Sequence, residues 1–476
     1  PQRIDKAFSW DAPIAAHGMM HSVIHNAWAG DPYRIDILFM YMANMGWNSA
    51  MNTPQTIKKL CEKDEKTGEY RIPKIIYSDA FYSETVPYAD LIFPDTTYLE
   101  RYDCLSILDR PVSDADGPAD GIRHPVVRAD RDVKPFQDVL LELGENLNFP
   151  GLINENGEKR YPGGYSDYLA NHERQPGVGL LAGFRGIDGK TSGKGSPNPN
   201  QIKKYIENQC FWYEELSAEQ KYFKNVNQSY LSYAKSMGFI EEAEPIFHQI
   251  YAEQLQKFRL SAEGYGEQQP PENKRGRIKA YFDPLPFWYH PFEKEMSKDN
   301  EYPLHAVTQR PAAMYHSWGS QNAWLRQIHG SNKLYVSRTL AAKENLEDGD
   351  WIWLVSRNCQ IKAPIQIMDG INDKTVWTWN AIGKRKGAWN LGENAKEANE
   401  GFLLNHLIDD LLPEQEDGYR YSNSDPITGQ AGWYDLQVRI EKIVDEEERE
   451  EPQFKTLKAL TNICSRPSIL RYGKKD

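Results

Sequence analysis

The first 150 residues alternate between short apolar runs and stretches with helical spacing. Three apolar runs bounded by polar turn residues predict buried strands, namely "IDILFMYM" (35–42), "IPKIIYSD" (72–79) and "ADLIFP" (89–94). Between the first two, "TPQTIKKLCEK" predicts a helix that begins at Thr53 with Pro54 at its first position. "KPFQDVLLELGENL" is amphipathic and predicts a further helix. Strands separated by helices predict a parallel, doubly wound sheet.

The pattern changes twice after this part. Residues 151–200 are rich in Gly, Pro, Asn and Ser and predict a long surface connection. Helical spacing then returns in "QIKKYIENQCFWYEELSAEQ" and "EEAEPIFHQIYAEQLQKFRL", and "GEQQPPENKRGRIK" is typical of a linker. After about residue 300 the chain carries six short β runs: "LHAVT", "KLYVS", "DWIWLVS", "QIKAPIQIM", "KTVWTWN" and "WYDLQVRIEKI". Closely spaced strands of this kind predict a small barrel or sandwich.

The predicted fold class is therefore α/β plus β: a doubly wound, mostly parallel sheet domain followed by a C-terminal β-barrel of six or so strands. The predicted divisions are a preceding remnant (1–34), the α/β domain (35–160), a helical connecting region (161–300), the barrel (301–445) and an acidic tail (446–476).

Composition restricts the partners of this chain. It has 476 residues and a net charge of -12, which argues against a binder of nucleic-acid phosphates, since such binding needs clustered Lys and Arg. No apolar run approaches the roughly 18–20 residues that span a bilayer. The cysteines are scattered, so their spacing predicts neither a zinc nor an iron–sulfur site and favours reduced, structural roles: Cys61, Cys104, Cys210, Cys359 and Cys464.

Polar residues follow the first two predicted strands. Ser78 and Asp79 end the second strand, where open α/β sheets bind nucleotides, and an Asp carboxylate can accept two hydrogen bonds from the edge of guanine. The alternative is that Asp79 caps the following helix. Asn44 follows the first strand in a segment of neutral donors and acceptors suited to phosphate or ribose. No G-x-G-x-x-G or Walker sequence occurs, which disfavours NAD, FAD and ATP.

The segment "TQRPAAMYHSWGSQNAWLR" (308–326) follows the first strand of the predicted barrel. Its side chains that could face a phosphate or a ring system are Arg310, Tyr315, His316, Ser317 and Gln321. An ordinary surface loop is the alternative, although it does not explain so much aromatic area.

Two further segments are candidates for anion or metal binding. "WNAIGKRKGAWN" carries Lys384, Arg385 and Lys386, which form either a basic hairpin tip or a second contact for an anionic ligand. "HGMMHSVIH" places His17, His21 and His25 four residues apart, hence on one face of a helix. Because no nearby carboxylate or Cys completes a ligand set except Asp31 beyond a glycine, a packed or substrate-facing row is favoured over a metal site.

Three segments together resemble the molybdopterin oxidoreductases of the dimethyl sulfoxide reductase superfamily. They are "IYSDAFYSETVPYADLIFPDTTYLERYD" (75–103), "YPLHAVTQRPAAMYHSWGSQNAWLR" (302–326) and "LEDGDWIWLVS" (346–356). The resemblance implies a pair of molybdopterin guanine dinucleotides that hold molybdenum or tungsten.

The resemblance also implies roles for particular residues. The contacts to one dinucleotide would come from Asn44, Ser78, Asp79 and Arg101. The loop beneath a pterin and its pyrophosphate would be lined by Thr308, Arg310, Tyr315, His316 and Ser317, and the pocket would be closed by Asn405 and Tyr434. Gln309 stands where the family usually has Gly.

Within the superfamily, "HGMMHSVIHNAWAGDPYRIDILFMYMANMGWNSAMNTP" is most similar to sulfite dehydrogenase catalytic subunits, with thiosulfate and polysulfide reductases next. The family's Cys motif for a [4Fe-4S] cluster and its metal-ligating segment are not recognisable. The chain therefore resembles the C-terminal part of such a catalytic protein and is expected to be inactive alone. Substrate-side candidates are His17, His21 and Arg385.

The resemblance further implies an iron–sulfur electron-transfer subunit, a membrane quinone-reactive subunit and a small sulfur oxyanion as partners. The expected location is cytoplasmic and membrane-associated, with a periplasmic alternative. The rival functions are a non-catalytic scaffold of the same fold in a respiratory complex and an ordinary nucleotide-dependent enzyme.

Overall fold

The computed structural model describes most of the chain. The described residues are 3–15, 18–106, 119–191, 193–215, 217, 228–238, 240–243, 251–296, 301–314, 316, 319, 322–380, 382–385, 388, 389, 391 and 401–445. They form two compact units, one made of Pro1–Ile92 with Tyr251–Asp476 and the other of Phe93–Ile250. The domain boundaries proposed from the sequence stay predictions, and the acidic tail lies outside the described residues.

The described α-helices are α1 Val23–Ala29, α2 Thr53–Cys61, α3 Phe136–Asn146, α4 Tyr165–Asn171, α5 Gln201–Glu207, α6 Gln228–Ser236, α7 Glu253–Ala262, α8 Glu272–Tyr281, α9 Phe292–Met296, α10 Ala323–Arg326 and α11 Arg338–Lys343. The strands are β1 Ile37–Tyr41, β2 Lys74–Asp79, β3 Leu91–Pro94, β4 Asp103–Ser106, β5 Ala119–Arg123, β6 Glu173–Gln175, β7 Val178–Gly179, β8 Phe211–Tyr213, β9 Leu304–Gln309, β10 Leu334–Val336, β11 Trp351–Val355, β12 Gln360–Ile367, β13 Thr375–Trp379 and β14 Gln437–Lys442. None of the described helices is long and apolar enough to cross a bilayer.

The predicted parallel sheet is present in the first unit. Its strand order is β1-β2-β3, and β1 runs parallel to β2 with Tyr41 opposite Ser78. Helix α2 begins at Thr53, as expected from the following proline, and buries Ile57 and Leu60 in the same apolar cluster as Ile75. Because burial of each such side chain is worth about 1.5–3 kcal/mol, packing of this helix stabilises the sheet edge.

A closed six-stranded barrel forms the C-terminal part of the same unit. Its strand order is β10-β12-β11-β14-β9-β13, and every strand coincides with one of the six predicted β runs. Alternate side chains such as Leu304 and Ala306, or Ile352 and Leu354, point into one buried cluster. That alternation is the sequence signal on which the prediction rested. The predicted fold class is confirmed.

The second unit contains a sheet that the sequence pattern did not predict. Its order is β4-β5-β8, all antiparallel. The helix predicted from residue 201 ends at Glu207, and Phe211–Tyr213 within the supposed helical stretch is a strand. The expectation was wrong because β8 is fixed by pairing with β5, a distant segment, and by burial of Trp212 beside Tyr205.

The predicted linker "GEQQPPENKRGRIK" was also misassigned. Helix α8 begins at Glu272, directly after Pro271, and continues to the end of that segment and beyond. Its polar sequence conceals a narrow apolar contact, since Ile278 packs with Leu255 and Ala262 of helix α7. One buried row is enough to hold a helix whose other faces are solvated.

Candidate functional site

The carboxyl ends of β1 and β2 meet at one edge of the parallel sheet. The Met42 amide donates to the Ser78 carbonyl oxygen over 3.0 Å, which carries the pairing one residue past β1. Asn44 follows two residues later. The fold therefore brings the predicted contacts Asn44, Ser78 and Asp79 to one sheet edge, as the parallel arrangement requires.

Ser78 and Asp79 differ in how their side chains are used. The Asp79 carboxylate accepts the Phe81 amide over 3.0 Å and lies 3.3 Å from the Tyr77 hydroxyl. The bond to the residue two positions on forms a turn, so Asp79 does not cap a helix. The Ser78 hydroxyl is fully enclosed and has no hydrogen-bond partner among the described residues. A ligand could reach it only if neighbouring side chains moved.

Asn44 belongs to a buried polar network. Its amide nitrogen donates to Glu84 Oε2 over 2.7 Å and to Asn48 Oδ1 over 3.0 Å, while its oxygen accepts the Thr85 hydroxyl over 2.6 Å. Thr85 in turn accepts the Gly46 amide. These hydrogen bonds fix the loop after β1, so Asn44 supports this loop. The contact of Asn44 to a ligand stays a prediction.

The barrel presents two of the predicted segments side by side. Strands β9 and β13 are parallel, with Thr308 opposite Thr378 and Gln309 opposite Trp379. The Asn380 amide also donates to the Gln309 carbonyl oxygen over 2.7 Å. The loop after β9 and the basic segment after β13 therefore leave the same end of the barrel together, although about 70 positions separate them in the sequence.

The basic segment connects the barrel to the edge of the parallel sheet. The Trp47 indole donates to the Gly383 carbonyl oxygen over 3.2 Å. The Trp389 indole donates to Glu84 Oε2 over 2.7 Å, and the Arg385 amide donates to Glu84 Oε1 over 3.2 Å. Glu84 thus accepts bonds from both elements, and its side chain is buried.

Glu84 is a residue of this candidate site that sequence reasoning missed. A signal was present, because it is an acidic residue between hydroxyl and apolar residues in "FYSETVPYADLIFP". An isolated carboxylate in such a segment is rarely buried without hydrogen-bond donors. Sequence alone did not reveal which donors surround it.

The cations of the basic segment lie inside the protein. Lys384 is buried with its ammonium 4.7 Å from the centre of the Trp389 ring, and buried Arg385 donates to the Tyr88 hydroxyl over 2.9 Å. Burial raises the pKa of Tyr88, so this phenol remains protonated at neutral pH. A basic hairpin tip is therefore excluded for Lys384 and Arg385. The substrate role of Arg385 stays a prediction, and Lys386 lies outside the described residues.

The loop after β9 holds uncommitted donors. The side chains of half-buried Thr308 and exposed Arg310 make no hydrogen bond or ion pair with any described residue. His316 has a φ of 50°, a left-handed backbone that costs a non-glycine residue roughly 1–3 kcal/mol. Burial lowers the pKa of His316, and the charge of Arg310 lowers it further. Tyr315, Ser317 and Gln321 lie outside the described residues.

The remaining predicted contacts are arranged differently. Asn405 donates to the carbonyl oxygens of Asn48 and Ala50, each over 2.9 Å, and so supports the loop after β1 from the barrel. Tyr434 is 61% exposed, and its hydroxyl bonds to no described residue. In the second unit, buried Arg101 is ion-paired with Asp95. Their contacts to a dinucleotide stay predictions.

Of the three histidines in the row, the structure describes His21 and His25. His21 is buried with Nε2 2.6 Å from the Ser422 hydroxyl, and burial lowers its pKa to about 4. His25 is also lowered to a pKa of about 4, first by burial and then by the charge of Lys59. The described residues contain no cluster of three side chains suited to a metal ion. His17 lies outside the described residues, and the substrate roles of His17 and His21 stay predictions.

The sequence of the chain matches known proteins over this site. Residues 304–421 match the family described as the molydopterin dinucleotide binding domain. The chain is 50% identical over 462 residues to a sulfite dehydrogenase subunit from Allochromatium vinosum, and the match covers 96% of this chain and 48% of that protein. The chain belongs to the molybdopterin oxidoreductases of the dimethyl sulfoxide reductase superfamily. The resemblance seen in the sequence is therefore confirmed.

Two more distant similarities concern the sequence and the fold. The chain is 22% identical over 403 residues to the thiosulfate reductase molybdopterin-containing subunit PhsA of Salmonella typhimurium, covering 81% of this chain and 43% of that protein. Its fold is similar to that of acetylene hydratase from Pelobacter acetylenicus, with a TM-score of 0.53, 15% identity, and coverage of 89% of this chain and 46% of that one. The chain spans about half the length of the curated relatives it matches.

The donors of this site fit an anionic dinucleotide. Thr308, Arg310 and Tyr434 offer uncommitted hydroxyl and guanidinium groups, which suit phosphate oxygens. Asn44 and Asn405 are already bonded within the protein, so they would shape the pocket by holding the loop after β1. No disulfide joins the four described cysteines, which are Cys61, Cys104, Cys210 and Cys359, and Cys464 lies outside the described residues.

Proposed function

We propose that this chain is the C-terminal, cofactor-binding part of a molybdenum oxidoreductase subunit that acts on sulfite or another sulfur oxyanion. The observation that carries the proposal is the 50% identity to the sulfite dehydrogenase of Allochromatium vinosum over 96% of the chain. When bound, a pair of molybdopterin guanine dinucleotides would supply oxygen-atom and electron transfer. Reduction of thiosulfate or polysulfide is the second candidate, favoured by the weaker similarity to the thiosulfate reductase subunit.

The residues of this chain would bind and orient the cofactor. We assign to Asp79 the recognition of guanine through its carboxylate, with Ser78 beside it at the end of β2. Arg310 and His316 would donate to pterin or phosphate from the loop after β9. Glu84 is bonded to Asn44 and to the basic segment at once, so its contacts would hold the loop after β1 and the basic segment in fixed relative positions.

Several further features belong to the same proposal. A [4Fe-4S] cluster and the metal ligand would come from a part of the polypeptide other than this chain. Electrons would pass to an iron–sulfur subunit, then to a membrane quinone-reactive subunit, with the enzyme on the cytoplasmic side of the membrane. The sulfite dehydrogenase relative is itself named as a subunit, which supports a multi-subunit assembly.

The test is to purify the full-length subunit that contains this chain, with its partner subunits, and to measure molybdenum, released guanine nucleotide and turnover. We expect stoichiometric molybdenum, guanine nucleotide after acid release, and sulfite-dependent reduction of an artificial acceptor. Turnover with thiosulfate but not sulfite would select the second candidate. Absence of molybdenum and guanine nucleotide from a folded complex would refute the enzyme and favour the non-catalytic scaffold.

A further inference from the structure

A polar cavity lies in the first unit between the N-terminal segment, helix α8 and the segment 411–424. Its volume is about 240 Å³, well above the roughly 30 Å³ that one water molecule occupies in the liquid. The charged and aromatic residues that line it include Lys6, His25, Arg277, Tyr419, Arg420 and Tyr421. None of these was assigned to the dinucleotide.

Three cations line this cavity, Lys6, Arg277 and Arg420, against two lining carboxylates, Asp11 and Asp31. Lys6 is ion-paired with Asp31, and Lys274 with Asp11 over 2.6 Å. Arg420 is ion-paired with Asp409 over 3.1 Å, and Arg357 approaches the same carboxylate at 3.7 Å. These pairs account for the carboxylates that line the cavity, which are Asp11 and Asp31.

Arg277 is the cation that remains without a carboxylate. Among the described residues its guanidinium makes one hydrogen bond, from NH1 to the Asp11 carbonyl oxygen over 2.7 Å, and lies 4.5 Å from the centre of the Tyr421 ring. Burial lowers its pKa, although the nearby Asp11 charge raises it. A guanidinium has five N–H donors, so most of them are available to a ligand in the cavity.

Two further groups that line the cavity are uncommitted. His25 lines the cavity, and neither of its ring nitrogens has a hydrogen-bond partner among the described residues. The Tyr421 hydroxyl has no such partner either, and the residue is buried, with 8% of its surface exposed. A cavity lined by a buried guanidinium, an imidazole and a phenol is suited to an oxyanion, because a guanidinium matches two anionic oxygens at once.

We infer that this cavity is a binding site for a small free oxyanion of the sulfate or sulfite class, held by Arg277 with His25 and Tyr421. The inference rests on these side chains and does not require the proposed reaction. An anion here would neutralise a partly buried charge that the protein leaves unpaired, so binding also stabilises the fold.

Sulfate is the probe for the test because it has the geometry of the proposed ligand class. Its binding can be measured without turnover of the enzyme. The molybdenum-loaded full-length subunit is titrated with sulfate by calorimetry at constant ionic strength, because saturation separates site binding from general salt effects. We expect one saturable site in the wild type. Arg277→Gln should bind at least about tenfold more weakly, and Arg277→Lys should fall between the two.

The matched control is Arg275→Gln on the same helix. Arg275 pairs with Glu272 over 3.0 Å and does not line the cavity, so this variant loses the same charge and should bind sulfate as the wild type does. Tyr421→Phe keeps the cation and should weaken binding severalfold, which allows the test even if Arg277→Gln does not fold.

Three results would overturn the inference. The first is no saturable binding in the wild type, and the second is unchanged binding in Arg277→Gln or, where that variant does not fold, in Tyr421→Phe. The third is loss of molybdenum and guanine nucleotide from Arg277→Gln, since the cavity would then hold a phosphate of the cofactor instead of a free anion. Sulfate binding without sulfite turnover would instead leave this inference intact and count against the proposed function.

Discussion

Replacement of Glu84 by alanine removes a carboxylate that is bonded to both the loop after β1 and the basic segment. Glu84 is 1% exposed and accepts the Asn44 amide, the Trp389 indole and the Arg385 backbone amide. The substitution removes the carboxylate acceptor of three buried donors, which costs about 1–3 kcal/mol for each donor that finds no other acceptor, and Asn44 keeps its second bond, to Asn48 Oδ1. Because neighbouring groups and water relax, we expect a loss of about 3–5 kcal/mol in the free energy of unfolding, at the upper end for single substitutions.

Glu84→Gln separates the geometry from the charge. The glutamine oxygen can replace Oε2 and keep the hydrogen bonds from Asn44 and Trp389. The glutamine NH2 group would face the Arg385 backbone N–H, so that hydrogen bond is lost. We expect about 1–3 kcal/mol for this variant. Trp389→Phe removes the indole donor together with part of a buried ring, and its combination with Glu84→Ala should be less than additive because the two residues share a bond.

The assay is urea unfolding followed by tryptophan fluorescence, together with the guanine nucleotide content of the purified subunit. Glu69→Ala is the control, since Glu69 pairs with Arg34 on the surface at 3.6 Å and should change stability by less than about 0.5 kcal/mol. Glu84→Ala should also retain less cofactor. The reasoning is refuted if Glu84→Ala unfolds within about 0.5 kcal/mol of the wild type, since buried donors cannot lose their acceptor at no cost.

Three other expectations follow from the same contacts. Ser78→Ala removes an enclosed hydroxyl that has no hydrogen-bond partner among the described residues, so the free energy of unfolding of the cofactor-free chain should stay the same or rise by about 1 kcal/mol. A decrease of more than about 1 kcal/mol would show that the Ser78 hydroxyl makes a hydrogen bond. Arg310→Gln removes an exposed, unpaired cation, so it should lower cofactor retention while unfolding in urea changes by less than about 0.5 kcal/mol, and unchanged retention would exclude the phosphate contact. Burial lowers the pKa of His406 to about 3, so the unfolded chain takes up a proton between pH 6.5 and 3 that the folded chain does not. The free energy of unfolding should therefore decrease as the pH is lowered through that window. His406→Phe should show a smaller decrease when unfolding is measured across the same pH range.

Local patterns were sufficient for the elements that carry the site. The alternation in β9, β11 and β12 predicted the barrel, and the apolar runs ending at Tyr41 and Asp79 predicted parallel strands with polar residues at their ends. These features can be predicted from sequence because burial of one face of a strand or helix places apolar residues at regular spacing along the chain. The sheet of β4, β5 and β8 was not readable, since its short strands are fixed by partners far along the chain.

The sequence by itself determined the fold class, the family and the edge at which Asn44, Ser78 and Asp79 lie. Only the tertiary structure decided what each polar side chain contacts. It gave Glu84 donors from residues 301 and 305 positions away, and it left Arg277 without a carboxylate. The physical reason is that burial leaves a local trace in the chain, whereas a hydrogen bond between distant segments depends on how the whole fold brings them together.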